Sequence, residues 1–190
     1  IKININSCEF EKNKAHCSVI KDAGDDPDVT HGAEIVVDLE LTPKPNSIEI
    51  DGGEGVGRVT KPGIGLEIGQ AAINPTPRKM IIENLTEVGK EILEKNGIKV
   101  MISVPKGKEL GPKTDNPRIG IVDGISILGT SGIVMPYSTA SFAAAIRQQL
   151  DVVISMGDDT VVLTTGGRSE DFARNIFDLP DHSFVQFGDF

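Results

Sequence analysis

From Arg118 to the last residue, short β-branched runs alternate with helix-patterned ones. The order is "RIGIV", a helix from about Thr139 to Met156, "TVVLTT", a helix from about Ser169 to Phe177, and "SFVQF". Parallel neighbours cannot be joined by a hairpin and need a crossover, usually a helix. This alternation predicts a Rossmann-like domain with a mainly parallel sheet over 117–190. In such sheets ligands sit beyond the carboxyl ends of the strands. That rule selects two loops, "DGISILGTSGIV" with Gly124, Gly129, Thr130, Ser131 and Gly132, and "TTGGRSE" with Thr164, Thr165, Gly166, Gly167 and Arg168.

The first half has a different texture, and the expected fold class is α/β with a mixed α+β first domain over 1–116. A strand is expected around His16 to Lys21. In "AEIVVDLEL", Ile35, Val37, Leu39 and Leu41 alternate with mostly polar neighbours, the pattern of a half-buried strand. Pro43 and Pro45 end it. "SIEIDGGEGVGRVTKPGIG" gives a short strand and then five glycines from Gly52 to Gly63, which serve turns or the close approach of backbone to a ligand. Asn74 and Pro75 open a helix in which Ile81, Leu85, Val88 and Ile92 make one apolar face, with a left-handed cap expected at Asn96-Gly97. "IKVMISVP" reads as a strand to Val104, and the Pro/Gly-containing loop "KGKELGPKTDNP" as the domain boundary.

"KDAGDDPDVTHGAE" crowds Asp22, Asp25, Asp26, Asp28 and Glu34 around His31. It fails as a calcium loop: counting from Asp22, the third position is Gly24, the sixth Pro27 and the twelfth Ala33. Zinc would need converging histidine or cysteine ligands, and His16 and Cys17 lie on another segment. A solvated turn with capping carboxylates is the plain alternative. Cys8 and Cys17, separated by eight residues without a CxxC spacing, read as buried thiols or strand residues rather than a redox or disulfide pair. A net charge of −9 without a Lys/Arg run argues against nucleic acid and leaves a small molecule as the better partner. With 38% hydrophobic residues there is ample material for a core, but no apolar run long enough for a membrane span and no signal-peptide pattern. A cytoplasmic location is expected, with oligomerisation open. Starting at Ile1 and stopping in "SFVQFGDF", the sequence reads as a fragment.

Gly166-Gly167 between strand and helix could offer free amides, and Arg168 a guanidinium, to a carboxylate or phosphate, or could be a tight turn only. Neither loop carries a GxGxxG or GK[ST] fingerprint, and no GxSxG elbow or readable Cys/His pair supports nucleophilic hydrolysis. Glycine-rich loops without an activated nucleophile suit an enzyme that aligns two ligands.

The strings "KDAGDDPDVTHGAEI", "GEGVGRVTKPG", "INPTPRKMI", "NPRIGIVDGISILGTSGIV" and "LTTGGRSE", in this order, closely resemble the CbiD family of cobalt-precorrin-5B (C1)-methyltransferases of anaerobic cobalamin biosynthesis, over about residues 17 to 190. The resemblance implies methyl transfer from S-adenosylmethionine, as cosubstrate, to carbon 1 of a cobalt-bearing tetrapyrrole, giving cobalt-precorrin-6A, with no metal bound by the protein itself. It further implies a Gly-Tyr-Thr-Thr-Gly segment and an Ala-rich helix before the first matched residues, and more chain after the last; neither is in this sequence.

On that reading the tetrapyrrole lies between the two domains. Its carboxylates would meet Arg58, Lys61, Arg78, Lys79 and Arg118, while Lys21, Asp22, Asp25, Asp26 and His31 would form part of the cleft. The cosubstrate would sit on Gly129, Thr130, Gly132, Thr165, Gly166 and Arg168. No catalytic residue is assigned. The competing expectations are a non-catalytic nucleotide- or metabolite-binding protein on the same scaffold, and phosphoryl transfer, which the missing lysine-bearing loop disfavours.

Overall fold

The computed structural model describes residues 3–129, 132–133 and 138–188. β1 (Ile5–Glu11) and β2 (Lys14–Ile20) form an antiparallel hairpin turned by Lys12 and Asn13, with Lys12 at φ 50°. β3 (Glu34–Thr42) pairs antiparallel with β2. β4 (Ile48–Gly52) and the two-residue β5 (Arg58–Val59) follow. α1 (Pro75–Val88) and the single turn α2 (Lys90–Leu93) then lead to β6 (Gly97–Ser103). β6 inserts between β3 and β4, antiparallel to the first and parallel to the second, so the sheet order is β1-β2-β3-β6-β4. The helices α1 and α2 lie on the connection between the parallel neighbours β4 and β6, the arrangement such a pair requires.

The alternation read in β3 holds. Ile35, Val37, Leu39 and Leu41 face a core built from Ile98, Val100 and Ile102 of β6, with Ile81 and Leu85 of α1 packed over it. Each fully buried aliphatic side chain there contributes about 1.5–3 kcal/mol. The helix departs from expectation at Gly89, where the backbone turns out of helical geometry at φ −102° and its N–H bonds Leu85 O at 2.9 Å. A glycine inside a helix is about 1 kcal/mol worse than alanine, so the break is cheap. It also shifts the phase: Leu93 becomes the buried residue, while Val88 and Ile92 are 81% and 47% exposed. Asn96 and Gly97 form no left-handed cap, because neither has positive φ and β6 starts at Gly97.

Cys8 and Cys17 stand directly opposite each other on β1 and β2 and are joined as a disulfide, which corrects the reading of two separate thiols. The pairing follows from the hairpin register. With Glu11 opposite Lys14, stepping three residues back on one strand and three forward on the other brings Cys8 to Cys17.

The glycines after β4 serve backbone packing. Gly55, at φ +70°, lies so close to its neighbours that an added Cβ would fall 1.9 Å from Val104 O. A Cβ on Gly107 would fall 1.9 Å, and one on Gly124 2.2 Å, from Gly55 O, while one on Gly111 would fall 2.4 Å from Gly124 O. Three chain segments therefore meet main chain against main chain, the middle one carrying the short helix α3 (Gly107–Leu110) and the 3₁₀ turn Gly111–Lys113. The buried Asn116 fastens this junction, giving Nδ2 to Gly124 O and accepting from Ser126 Oγ, both at 2.9 Å.

The expected mainly parallel second sheet is not formed among the described residues. β7 (Ile121–Val122) pairs antiparallel with β5 instead, and Val56–Ile125 and Ile73–Ile127 bridges stitch the following residues to the glycine-rich stretch. The expected boundary between residues 116 and 117 thus runs alongside a continuous packed layer. A second core of Val59, Ile64, Ala72, Ile119 and Ile121 is closed by Val152 from α4 (Thr139–Met156), whose N-cap Ser138 accepts from Ser141 N–H. Among the described residues the parallel strand pair of this half is β8 (Val162–Thr164) with β9 (Phe184–Gln186), linked through α5 (Gly167–Arg174); the Val56–Ile125 and Ile73–Ile127 bridges are parallel but isolated. The molecule is mixed α/β with a mostly antiparallel main sheet, and among the described residues its second half forms a β-α-β unit and no larger parallel sheet.

Candidate functional site

β4 is the edge of the main sheet, and its carboxyl end opens onto a groove of about 980 Å³. The floor is Ile50 and Asp51. One wall is the loop carrying Pro62, Gly63, Leu66, Glu67, Ile68 and Gln70, and the other is the start of α1 with Pro75 and Arg78. Pro75 fixes the first turn of that helix, and Arg78, one turn on, reaches back across the groove's end. Its Nε donates to Ile73 O at 2.9 Å and its Nη1 to Ile50 O at 2.7 Å. Arg58 donates Nη1 to Asp51 Oδ1 at 2.9 Å and Nη2 to Gly52 O at 2.5 Å. Two guanidiniums thus occupy carbonyls along an edge strand where another strand would otherwise pair. Burial pushes the Asp51 carboxyl upward, but the hydrogen bonds from Arg58 and the Gly52 amide, with the charges of Arg58 and Arg78, hold it below the ordinary carboxylate range. Ile50, Leu66 and Ile68, the last 65% exposed, give the groove an apolar lining beside this charged end.

The other expected substrate cations are placed elsewhere. Lys61 lays its stem on Gly120 and its Nζ is 3.5 Å from Arg118 O. Lys79 pairs with Glu83 at 3.7 Å on the outer face of α1. Arg118 donates Nη1 to Glu170 Oε2 at 2.7 Å beside a separate hollow of about 560 Å³ lined by Lys113, Asp115, Arg118 and Arg174. Glu170, buried on α5, also binds Arg174, which reaches Asp181 at 2.7 Å and stacks over the Phe184 ring at 4.3 Å. Burial raises the Glu170 carboxyl, but Arg118 and Arg174 together bring it below its usual value.

The Asp-rich loop is a self-contained turn. Its organising carboxylate is Asp28, which sequence reasoning did not single out: Oδ2 takes Lys21 Nζ at 2.5 Å, and Oδ1 takes Thr30 N–H and Oγ–H, each at 2.7 Å. Burial raises Asp28, and those bonds outweigh it and lower the carboxyl's pKa. Asp22 caps Gly24 N–H at 2.9 Å, and His31 Nδ1 accepts Ala23 N–H at 3.1 Å, which leaves the neutral ring's proton on Nε2. Asp25 and Asp26 hold no side-chain partner among the described residues. None of these residues lines the groove beside β4. Among the described residues no group of three His, Cys, Asp or Glu side chains is placed to hold a metal ion.

The loops expected to hold the cosubstrate are joined by no hydrogen bond or ion pair among the described residues, and Thr130 and Ser131 lie outside those residues. Gly129 and Gly132 have positive φ of 139° and 70°, and Gly132 approaches Met80 of α1. At the β8–α5 turn the amides of Thr165 and Gly166 are already given to Ser169 Oγ, at 3.1 and 3.0 Å. The turn therefore fits an anionic group only in part: its amides cap the helix, while among the described residues Arg168 is exposed and unpartnered and the space over Gly166 and Gly167 is open.

Asp51, Leu66, Ile68 and Gln70 were missed. The signal was available, since β4 is a parallel strand and the groove lies at its carboxyl end, where the rule applied to the second half also points.

A core bound to an edge strand capped by arginines, beside a large open groove, defines a mixed α/β fold. The CbiD family model matches residues 1–136, and the chain belongs to that family. It is 52% identical over 191 residues to the cobalt-precorrin-5B C(1)-methyltransferase of Geobacillus kaustophilus (strain HTA426), covering 100% of this chain and 51% of that protein. It is 54% identical over 184 residues to the enzyme of the same name from Dechloromonas aromatica (strain RCB), covering 96% and 47%. The chain spans about half the length of the curated relatives it matches. The crystal structure at 1.9 Å of the cobalamin biosynthesis protein cbiD from Archaeoglobus fulgidus is 31% identical, with 95% of this chain and 56% of that chain covered and a TM-score of 0.48.

Proposed function

We propose that this chain carries the substrate groove of an S-adenosylmethionine-dependent C-methyltransferase that methylates carbon 1 of cobalt-precorrin-5B, giving cobalt-precorrin-6A in the cytoplasm. The observation that carries the reading is the β4 groove: about 980 Å³, apolar along Ile50, Leu66 and Ile68, with Arg78 in its lining and Asp51, paired to Arg58, on its floor. A flat macrocycle with acidic side chains needs that combination of an apolar bed and a charged end. The family membership and the relatives' names supply the reaction.

Bound S-adenosylmethionine supplies an electrophilic methyl on a sulfonium, and the cobalt arrives with the tetrapyrrole. The groove contributes alignment, since an in-line displacement gains most from holding the attacking carbon at a fixed distance and angle. Pro62, Leu66 and Ile68 exclude water from one face of the ring, which favours a charge-dispersing step. Arg168, exposed on the β8–α5 turn, is assigned to the cosubstrate's carboxylate, with Gly129 and Gly132 of the other loop as further contributors.

Calorimetric titration of adenosylhomocysteine, with ATP as comparison, tests the reading. Saturable binding of adenosylhomocysteine without ATP binding is expected. Binding of ATP instead would overturn the reading, as would failure of adenosylhomocysteine to bind either this chain or one extended to the relatives' full length.

A further inference from the structure

The five cations in the glycine- and proline-rich segments differ in how much of each is left for a ligand. Arg58 has spent both terminal nitrogens on Asp51 and Gly52, Arg118 gives Nη1 to Glu170 and lies beside the separate hollow rather than the groove, and Lys79 is turned outward to Glu83. Lys61 lies over Gly120, away from the groove lining. Arg78 lines the groove and uses only Nε and Nη1, so its Nη2 is without a partner among the described residues. Its position is fixed from two sides, by Ile73 O at the base of α1 and Ile50 O on β4, so the free nitrogen is pre-oriented and loses little conformational freedom on meeting a ligand.

Resting on the tetrapyrrole reading above, we infer that Arg78 is the specificity-determining residue of the groove: its Nη2 takes one peripheral carboxylate of the macrocycle, and the Asp51–Arg58 pair is the positioning element beside it. One anchored carboxylate at the β4 end, with the ring laid along Leu66 and Ile68, fixes which edge of the macrocycle enters first. It thereby fixes which ring carbon stands at the groove's open side. Asp51 feels the charge of Arg78 but makes no hydrogen bond to its Nη2 among the described residues; its Oδ1 serves Arg58 and the Gly52 amide. Glu67, on the rim, holds Gln70 Nε2 at 3.4 Å and repels a carboxylate that approaches the wrong way round.

The probe is uroporphyrin, a metal-free polycarboxylate tetrapyrrole, titrated into the chain by its own fluorescence, beside its methyl ester in the same dilute cosolvent. Uroporphyrin is expected to bind saturably and the ester weakly. Arg78→Gln should weaken uroporphyrin at least about tenfold, the loss expected for one charge-assisted hydrogen bond, and leave the ester unchanged. Lys95→Gln, the same charge change on an exposed lysine away from the groove, should bind as the parent does. Because Arg78 also ties α1 to β4, Arg78→Lys serves as the second variant: it retains the charge but cannot span Ile73 O, Ile50 O and a ligand together, so it too should lose affinity. Equal affinity of the parent and both variants would overturn the inference, as would no uroporphyrin binding by the parent, or equal binding of acid and ester. Each of these results leaves adenosylhomocysteine binding intact, so the failure of Arg78's role is separable from failure of the methyltransferase reading.

Discussion

Glu170→Gln is the substitution that most sharply tests how the second half is held. The carboxylate's side chain is 6% exposed and carries Arg118 from the segment before β7 and Arg174 from its own helix. The amide keeps the shape but loses the charge, and its nitrogen confronts one guanidinium donor to donor. Breaking a fully buried ion pair costs about 3–5 kcal/mol. Here both arginines keep solvent access, at 26% and 32%, which reduces the expected loss to about 2 kcal/mol. For a chain of this size that is a fall in Tm of about 4–8 °C. The sign with pH follows from the lowered carboxyl. A group depressed in the folded state stabilises above its unfolded value, near 4.5, and that contribution is lost as pH falls through the lower folded value. Calorimetric melts of parent and variant should therefore differ near neutrality and converge in acid. A urea double-mutant cycle with Arg118→Met should give a coupling of about 1 kcal/mol. A Tm gap that is absent, or constant down to the most acid pH at which both fold, would refute the argument, as would strict additivity with Arg118→Met.

Two further outcomes concern the fold. Gly55→Ala combines positive φ with a Cβ placed 1.9 Å from Val104 O, and should cost at least about 3 kcal/mol in urea unfolding, whereas Gly69→Ala, also at positive φ but facing open space, should cost about 1 kcal/mol. Leu93→Ala should cost about 2–4 kcal/mol and Ile92→Ala under about 1 kcal/mol; the reverse ranking would mean that α1 runs through Gly89 unbroken.

What could be read from sequence was the local chemistry, and what escaped was the long-range choice of partner. Pro75 opening a helix, Ile35 to Leu41 alternating on β3 and Thr139 to Met156 as a helix all depend on neighbours within a turn or two, and all are found. Of "RIGIV" only Ile121–Val122 is strand, with Arg118–Gly120 in a turn, and its partner is Arg58–Val59, some sixty residues earlier, a distance at which no local pattern names a partner. The disulfide escaped for a related reason: the turn at Lys12-Asn13 lacks the glycine that advertises a two-residue hairpin, so the register that aligns Cys8 with Cys17 had no signal. At the site, the cationic residues were visible as residues. Their ranking was not, because whether Arg58, Arg78 or Arg118 has a donor to spare depends on Gly52 O, Ile50 O and Glu170, which only the folded chain brings to them. The Asp-rich turn shows the same limit: Asp28 outranks its neighbours only once Lys21 and Thr30 have closed on it.

The meeting of Gly55, Gly107, Gly111 and Gly124 has a mechanical consequence. Packed side chains can absorb a displacement by changing rotamer, but where main chain bears on main chain there is nothing to rotate. The segment leaving β4 and the segment following β7 consequently shift as one body. The Ile73–Ile127 bridge and the bond from Asn74 N–H to Ile127 O tie the chain just before α1, and so the base of Arg78, to the same main-chain contact.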